Sequence, residues 1–258
     1  MSADLETALA TAAVVFACVF LGALMGTALR TALPGHHLSD DSKDVVKMAT
    51  GLMATMSALV LGLLIASAKS NFDTQYNLLK DIAADVVLLD RVLAHYGPET
   101  KDIRDKIRQG VSTRLDTNWP EDTSRDVAAN STQSSFAAEG VDDEIRELSP
   151  KNEFQHELQL RALQIDGDTM HTRWLLFGGA GSAIQTPFLV VLVFWVTVIF
   201  VTFGLFAPRN GTVTVVLFVT SISVSCAIFL ILELGTPFDG ILKMSSAPLR
   251  FTLDHLGK

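Results

Sequence analysis

Apolar residues gather into four uninterrupted runs, near Ala8–Leu29, Met48–Ala68, Phe188–Ala207 and Thr212–Leu234. Each is long enough to cross a hydrocarbon core about 30 Å thick, which takes roughly 20 helical residues at about 1.5 Å apiece. The pattern predicts an all-α, polytopic membrane protein with four transmembrane helices and a helical insertion between the second and third. Residues 1–69 carry the first two spans, 70–185 the insertion, 186–236 the last two spans and 237–258 a C-terminal tail. Only Asp4 and Glu6 precede the first run, with no basic segment, so it reads as a span rather than a signal peptide. Pro208 to Gly211 join the last two spans into a hairpin.

The second span is the most patterned stretch. Thr50, Ala54, Ala58, Gly62 and Ala66 recur every four residues and make a small-residue ladder suited to close helix packing. Beside it Thr55, Leu59 and Leu63 form a second stripe at the same spacing, fit for lipid contact or for a pore wall. In the first span, Gly22 and Gly26 have the four-residue spacing that lets helices approach closely.

The helical period continues past Lys69, since Phe72, Tyr76, Leu79, Ala83, Val86, Leu89, Leu93 and Tyr96 keep the spacing of an amphipathic helix. From Met48 to Tyr96 such a helix runs on the order of 73 Å, so much of it must leave the lipid. Gly97 and Pro98 end it, and Ile103, Ile107, Val111 and Leu115 mark a second polar helix that stops before Trp119 and Pro120. The polar stretch 121–140 is expected as a flexible loop. Ser149 and Pro150 then start a helix with Phe154, Leu158, Ala162 and Ile165 on its apolar face, and Gly178, Gly179 and Gly181 break it before Pro187.

The 258 residues are 49 % hydrophobic and only 19 % charged, with mean hydropathy +0.35, which excludes an ordinary soluble enzyme. Twenty bases against 28 acids leave a net charge of −8, and no basic run is present to hold nucleic acid. Cys18 and Cys226 both lie in apolar runs without metal or redox spacing, and serve as small lipid- or helix-facing residues. His36 and His37 are adjacent on a loop with no third ligand nearby, so no metal is expected there.

No nucleophile elbow, phosphate loop, zinc-protease or calcium-loop motif is present, so no enzymatic activity and no cofactor is expected. Gly178 to Gly181 follow a polar helix rather than a strand, which makes a hinge and not a dinucleotide cradle. Glu233 is the one acid inside a span. It is either a functional carboxylate on an ion pathway or an interfacial acid hydrogen-bonded to the loop that follows. Ser221 and Ser225 share a face of the fourth span as helix contacts, Trp195 should face protein, and Trp174 suits an interfacial anchor. Bases near the spans number five on the side of the termini and insertion against four opposite, which leaves orientation open.

The sequence Val60-Leu61-Gly62-Leu63, then Phe72, then Gln75-Tyr76 and Leu79, resembles the bestrophin channels, as do Pro187-Phe188-Leu189-Val190 and the Thr236-Pro237-Phe238-Asp239 stretch. Segments 59–70, 173–177, 203–209 and 237–249 are similar to a family of bacterial membrane proteins described as bestrophin-like.

The resemblance implies a homo-oligomeric ion channel, a pentamer in bestrophins, in the plasma (inner) membrane, with inorganic ions and the lipid bilayer as partners. It also implies that both termini and the 70–185 region are cytosolic. The family's pore neck falls on Thr55, Leu59 and Leu63, where two leucine rings would make an apolar constriction that gates by dewetting. The neck residue usually aromatic in the family is Leu63 here. The acidic run behind calcium gating in animal bestrophins is missing after Pro237-Phe238, so no calcium gating is expected. Two other readings use the same layout: a stator-type proton channel subunit that needs an acid-bearing partner, and a non-conducting membrane scaffold or sensor.

Overall fold

A computed structural model describes residues 3–32, 40–119, 133–178, 186–208, 210–238 and 240–257. Among them are eight α-helices and no strand: α1 (Ala3–Ala32), α2 (Asp40–Tyr96), α3 (Lys101–Asn118), α4 (Gln133–Glu147), α5 (Glu153–Gly178), α6 (Thr186–Phe206), α7 (Gly211–Leu234) and α8 (Ala247–His255). A single 3-10 turn, Pro98–Thr100, joins α2 to α3. α1, α2, α6 and α7 are each long and apolar enough to cross a membrane. At 57 residues, unbroken α2 is about 85 Å long, well beyond a bilayer's hydrocarbon core. The chain divides into two compact units, residues 1–73 with 182–243 and residues 74–181 with 244–258, and α2 contributes to both.

The first unit is a bundle of α1, the first part of α2, α6 and α7. Its core joins Val15, Val19 and Ala23 of α1 to Leu192, Val196 and Phe200 of α6 and Ile228 of α7, with Val60, Leu61 and Leu64 of α2 alongside. The closest helix contact is glycine-dependent. A Cβ on Gly26 would lie 2.1 Å from the Val201 carbonyl oxygen, and one on Gly204 would lie 2.0 Å from that of Ala23. Gly22 meets Thr197 and Gly26 meets Val201, so α1 and α6 run in the same direction. Phe16 and Phe20 of α1 hold Phe218 of α7 edge-on at 5.5 and 5.4 Å between ring centres. Large apolar side chains such as Phe188, Val190, Phe194, Val215 and Val219 face outward, which water would penalise and lipid accepts.

The second unit packs the rest of α2 with α3, α4, α5 and α8. Leu89 and Leu93 of α2, Ile103 of α3, Val141 and Ile145 of α4, and Ala162 and Ile165 of α5 form its core. Several buried polar groups are paired at the joints, while the Tyr96 hydroxyl and Gln75 Oε1 are buried without a hydrogen-bond partner among the described residues. Arg104 grips Asp90 through two bonds of 2.7 and 3.0 Å, Thr100 Oγ1 donates to the Leu93 carbonyl at 2.6 Å, and Gln159 Nε2 donates to the carbonyls of Ile145 and Leu148, each at 2.9 Å.

Three sequence expectations change here. The loop expected over 121–140 gives way to helix from Gln133, while residues 120–132 lie outside the described residues. The apolar seam of Val141, Ile145 and Leu148 enters the core against α2 and α5, and that burial outweighs the polar composition of the stretch. α5 starts at Glu153 rather than at Ser149–Pro150, because Asn152 Oδ1 accepts from the Gln155 N–H at 2.8 Å and makes the cap. On its face, Phe154 is exposed, and Gln159, Ala162, Ile165, Asp166 and Thr169 are the residues turned inward.

Residues 244–257 also pack within the second unit. α8 docks through Thr252 Oγ1 to the Ala83 carbonyl at 3.0 Å. Trp119 Nε1 donates to the Met244 carbonyl at 2.7 Å, and the Gly257 N–H donates to Asp90 at 3.2 Å.

Candidate pore helix and buried carboxylate

Within the first unit α2 has one packed face and one bare face. Thr50, Ser57 and Ala68 are buried, with Leu61 and Leu64 packed toward the cores they border. Leu59 precedes Ala68 by about two and a half turns and so points the opposite way. Leu59 is 72 % exposed and Leu63 65 % exposed, and Thr55 is exposed with its hydroxyl donating to the Leu52 carbonyl at 2.7 Å. Met48, Leu52 and Met56 extend this bare apolar surface toward the start of the helix.

The small-residue ladder falls largely on the bare side. Ala54 is half-buried, Ala58, Gly62 and Ala66 are exposed, and a Cβ on Gly62 would meet nothing within 4 Å. The face α2 uses within its own chain is therefore the neighbouring one, built on Ser57, Leu61, Leu64 and Ala68. Gly22 and Gly26, by contrast, lie at the α1–α6 contact.

Glu233, in the last turn of α7, is fully buried. Its Oε2 accepts from the backbone N–H groups of Ile241 at 2.6 Å and Leu242 at 3.4 Å. Its Oε1 has no hydrogen-bond partner among the described residues. The helix ends directly beyond it, where the Gly235 N–H reaches the Leu232 carbonyl at 3.0 Å and the Thr236 N–H reaches that of Glu233 at 3.2 Å. The chain then doubles back through Gly240, whose φ of 88° lies in the left-handed region. Glycine is required there twice over, since a Cβ would also approach Glu233 Oε2 to 2.4 Å. The carboxylate thus bonds the loop that follows the span, and Gly240 is a site residue that the pattern of the sequence did not single out.

The remaining candidates separate in space or serve packing. Ser221 and Ser225 are buried and donate to carbonyls one turn back, at 2.8 and 2.9 Å, on the face of α7 that carries Ile228. Trp174 is 73 % exposed and Trp195 half-buried. Cys18 and Cys226 are exposed free thiols, and His36 and His37 lie outside the described residues. No group of three or more metal-binding side chains occurs among the described residues.

Electrostatics single out an acid that sequence periodicity overlooked. Asp166 sits on the buried face of α5 one turn beyond Ala162, and burial pushes its carboxyl up to about 6. Asp142 of α4 reinforces the shift, while Arg173 and Arg146 oppose it. Asp85 on α2 is also raised, by burial first and then by Asp168 and Asp81. An acid interrupting an apolar face was the available signal, but its consequence depends on how closely α4 packs against α5.

Comparison with known proteins places this architecture. The family model for the Bestrophin-like domain matches residues 17–249. No curated protein matches the sequence. Two point variants of a bacterial bestrophin homologue from Klebsiella pneumoniae share the fold. One has 14 % identity and a TM-score of 0.62 over 94 % of this chain and 98 % of that one; the other has 15 % identity and 0.62 over 96 % of each. A crystal structure described as a membrane protein variant is similar at 14 % identity and a TM-score of 0.62, over 96 % of this chain and 99 % of that one.

Proposed function

The chain belongs to the bestrophin-like family, and from that membership we propose that it is an oligomeric ion channel whose pore neck is lined by the membrane part of α2. Conduction is passive and independent of calcium, with Thr55, Leu59 and Leu63 facing the axis. The observation that carries this reading is the bare stripe of α2: two large leucines stay largely exposed while Ser57, Leu61, Leu64 and Ala68 pack within the chain. Copies arranged around an axis would bring these leucines into rings and use the ladder of Ala54, Ala58, Gly62 and Ala66 for contact between subunits. A pentamer, as in bestrophins, is the proposed assembly. The proposed setting is the inner membrane, with both termini and the 70–185 region in the cytosol.

Rings of Leu59 and Leu63 exclude water from a narrow neck, and an ion crosses only when the neck wets. Thr55 offers a hydroxyl where an ion regains partial solvation. Glu233 acts as a structural acid that closes the turn after α7. Family membership over most of the chain also favours this reading over a stator-type subunit that needs a partner.

Single-channel recording in planar bilayers tests the proposal, with wild type beside Leu59→Ala plus Leu63→Ala in asymmetric KCl. Conductance or open probability should rise in the double variant, and the reversal potential then gives the sign of the ion. Silence from both proteins, properly inserted and oligomeric, would move the reading to a membrane scaffold.

A further inference from the structure

Between α1 and α7, at the level of the turn that joins α6 to α7, the first unit holds an open cleft of about 310 Å3. Polar side chains enter its walls only toward the turn, where they stand among Pro208 and Val213. On α1, Phe20 and Leu24 lead toward Thr27; on the α7 side, Leu217 leads toward Thr214 and Asn210. The polar ends of both walls meet at the turn, and the apolar ends lie deeper along the two candidate spans.

One basic side chain, Arg30, lies near the polar end. The Arg30 guanidinium donates through Nη1 to the Ala207 carbonyl, which holds it beside Pro208 of the cleft wall. The N-terminus of α7, a helix of 24 residues, opens at the same level, with Asn210 Oδ1 accepting from the Val213 N–H at 2.8 Å. A helix start carries partial positive charge and attracts anions. Charge and polarity together therefore describe a receptor for an amphiphile with an anionic head.

We propose that this cleft binds an anionic phospholipid, with its phosphate at Arg30 and the start of α7 and an acyl chain along Phe20, Leu24 and Leu217. A zwitterionic lipid would bring its own cation toward Arg30 and lose part of the attraction. The proposal is independent of whether the chain conducts.

Native mass spectrometry of the purified, delipidated protein tests it, with phosphatidylglycerol or phosphatidylcholine added back. Wild type should retain phosphatidylglycerol about five-fold better, the factor expected for one basic side chain near an anionic head. Arg30→Gln should bring that lipid down to the phosphatidylcholine level. Leu24→Trp, which fills the cleft, should lower retention of both, whereas Val216→Trp, an exposed apolar position outside it, should match wild type. Equal retention of the two lipids by wild type, or full retention of phosphatidylglycerol by both Arg30→Gln and Leu24→Trp, overturns the proposal. Displacement of the lipid by millimolar inorganic phosphate would assign the charge site to a free anion instead and equally overturn it.

Discussion

A Cβ on Gly240 would stand 2.4 Å from the carboxylate oxygen of Glu233, so the acid that ends the fourth span occupies the space the glycine leaves open. The same oxygen accepts from the next two backbone N–H groups, and the turn therefore closes around a side chain. Gly240→Ala adds both a clash and an unfavourable positive φ, and should cost about 2 kcal/mol or more. For a chain of this size that lowers the thermal midpoint of the solubilised protein by several degrees.

Glu233→Gln keeps an oxygen able to accept both N–H groups and should shift the midpoint far less than Glu233→Ala. The alanine leaves a cavity and two N–H groups without their acceptor, at about 3 kcal/mol. Equal midpoints for the two variants would show that the hydrogen bonds to Ile241 and Leu242 contribute nothing to stability.

Asp166→Asn should stabilise the protein at neutral pH. The folded-state pKa of about 6 lies above the ordinary 3.8, so the neutral acid supports the fold fully below about pH 4, and that support is lost as pH rises through 6. The shift corresponds to about 3 kcal/mol at full weight, and to about 2 kcal/mol once solvent screening of the carboxyl and of its repulsion by Asp142 is allowed for. The gain of the asparagine variant should grow from pH 4 to pH 7 and then level off. Melting curves across that range check it, and a constant difference would assign the effect to packing alone.

Asp90 joins α2, α3 and the C-terminal residues, through Arg104 and the Gly257 N–H. Asp90→Ala leaves a half-buried guanidinium and the Gly257 N–H without their acceptor and should cost about 2 kcal/mol. Adding Arg104→Ala should return part of that loss, because the orphaned charge is then gone. Limited proteolysis at the C-terminus, alongside melting, reads both effects.

Two glycines of similar sequence context should behave oppositely. Gly26→Ala forces α1 away from the Val201 carbonyl and should lower the midpoint by several degrees, whereas Gly62→Ala meets nothing within its own chain and should leave the fold of the subunit intact. If the ladder joins subunits, Gly62→Ala will instead lower the oligomer-to-monomer ratio in size-exclusion chromatography with multi-angle scattering.

The four spans, and the continuation of α2 beyond the membrane, were legible in the sequence because both are local properties: hydropathy accumulated over about 20 residues, and apolar groups repeated every three or four. The start of α4 was not legible. Residues 133–140 are polar by composition, and their helix depends on Val141 and Ile145 finding α2 and α5 across long sequence separations. Nor did spacing identify the packed face of α2, since small and apolar residues occupy every side of it; contact with α1, α6 and α7 selects Ser57, Leu61, Leu64 and Ala68 and leaves Leu59 and Leu63 bare. Glu233 stood out as an acid in an apolar run, yet its partners are backbone N–H groups beyond a left-handed glycine. Only the path of the turn decides that they meet. Amino-acid order thus determined where helices form and which can enter lipid, while tertiary packing decided which faces are covered and which buried acids find a donor.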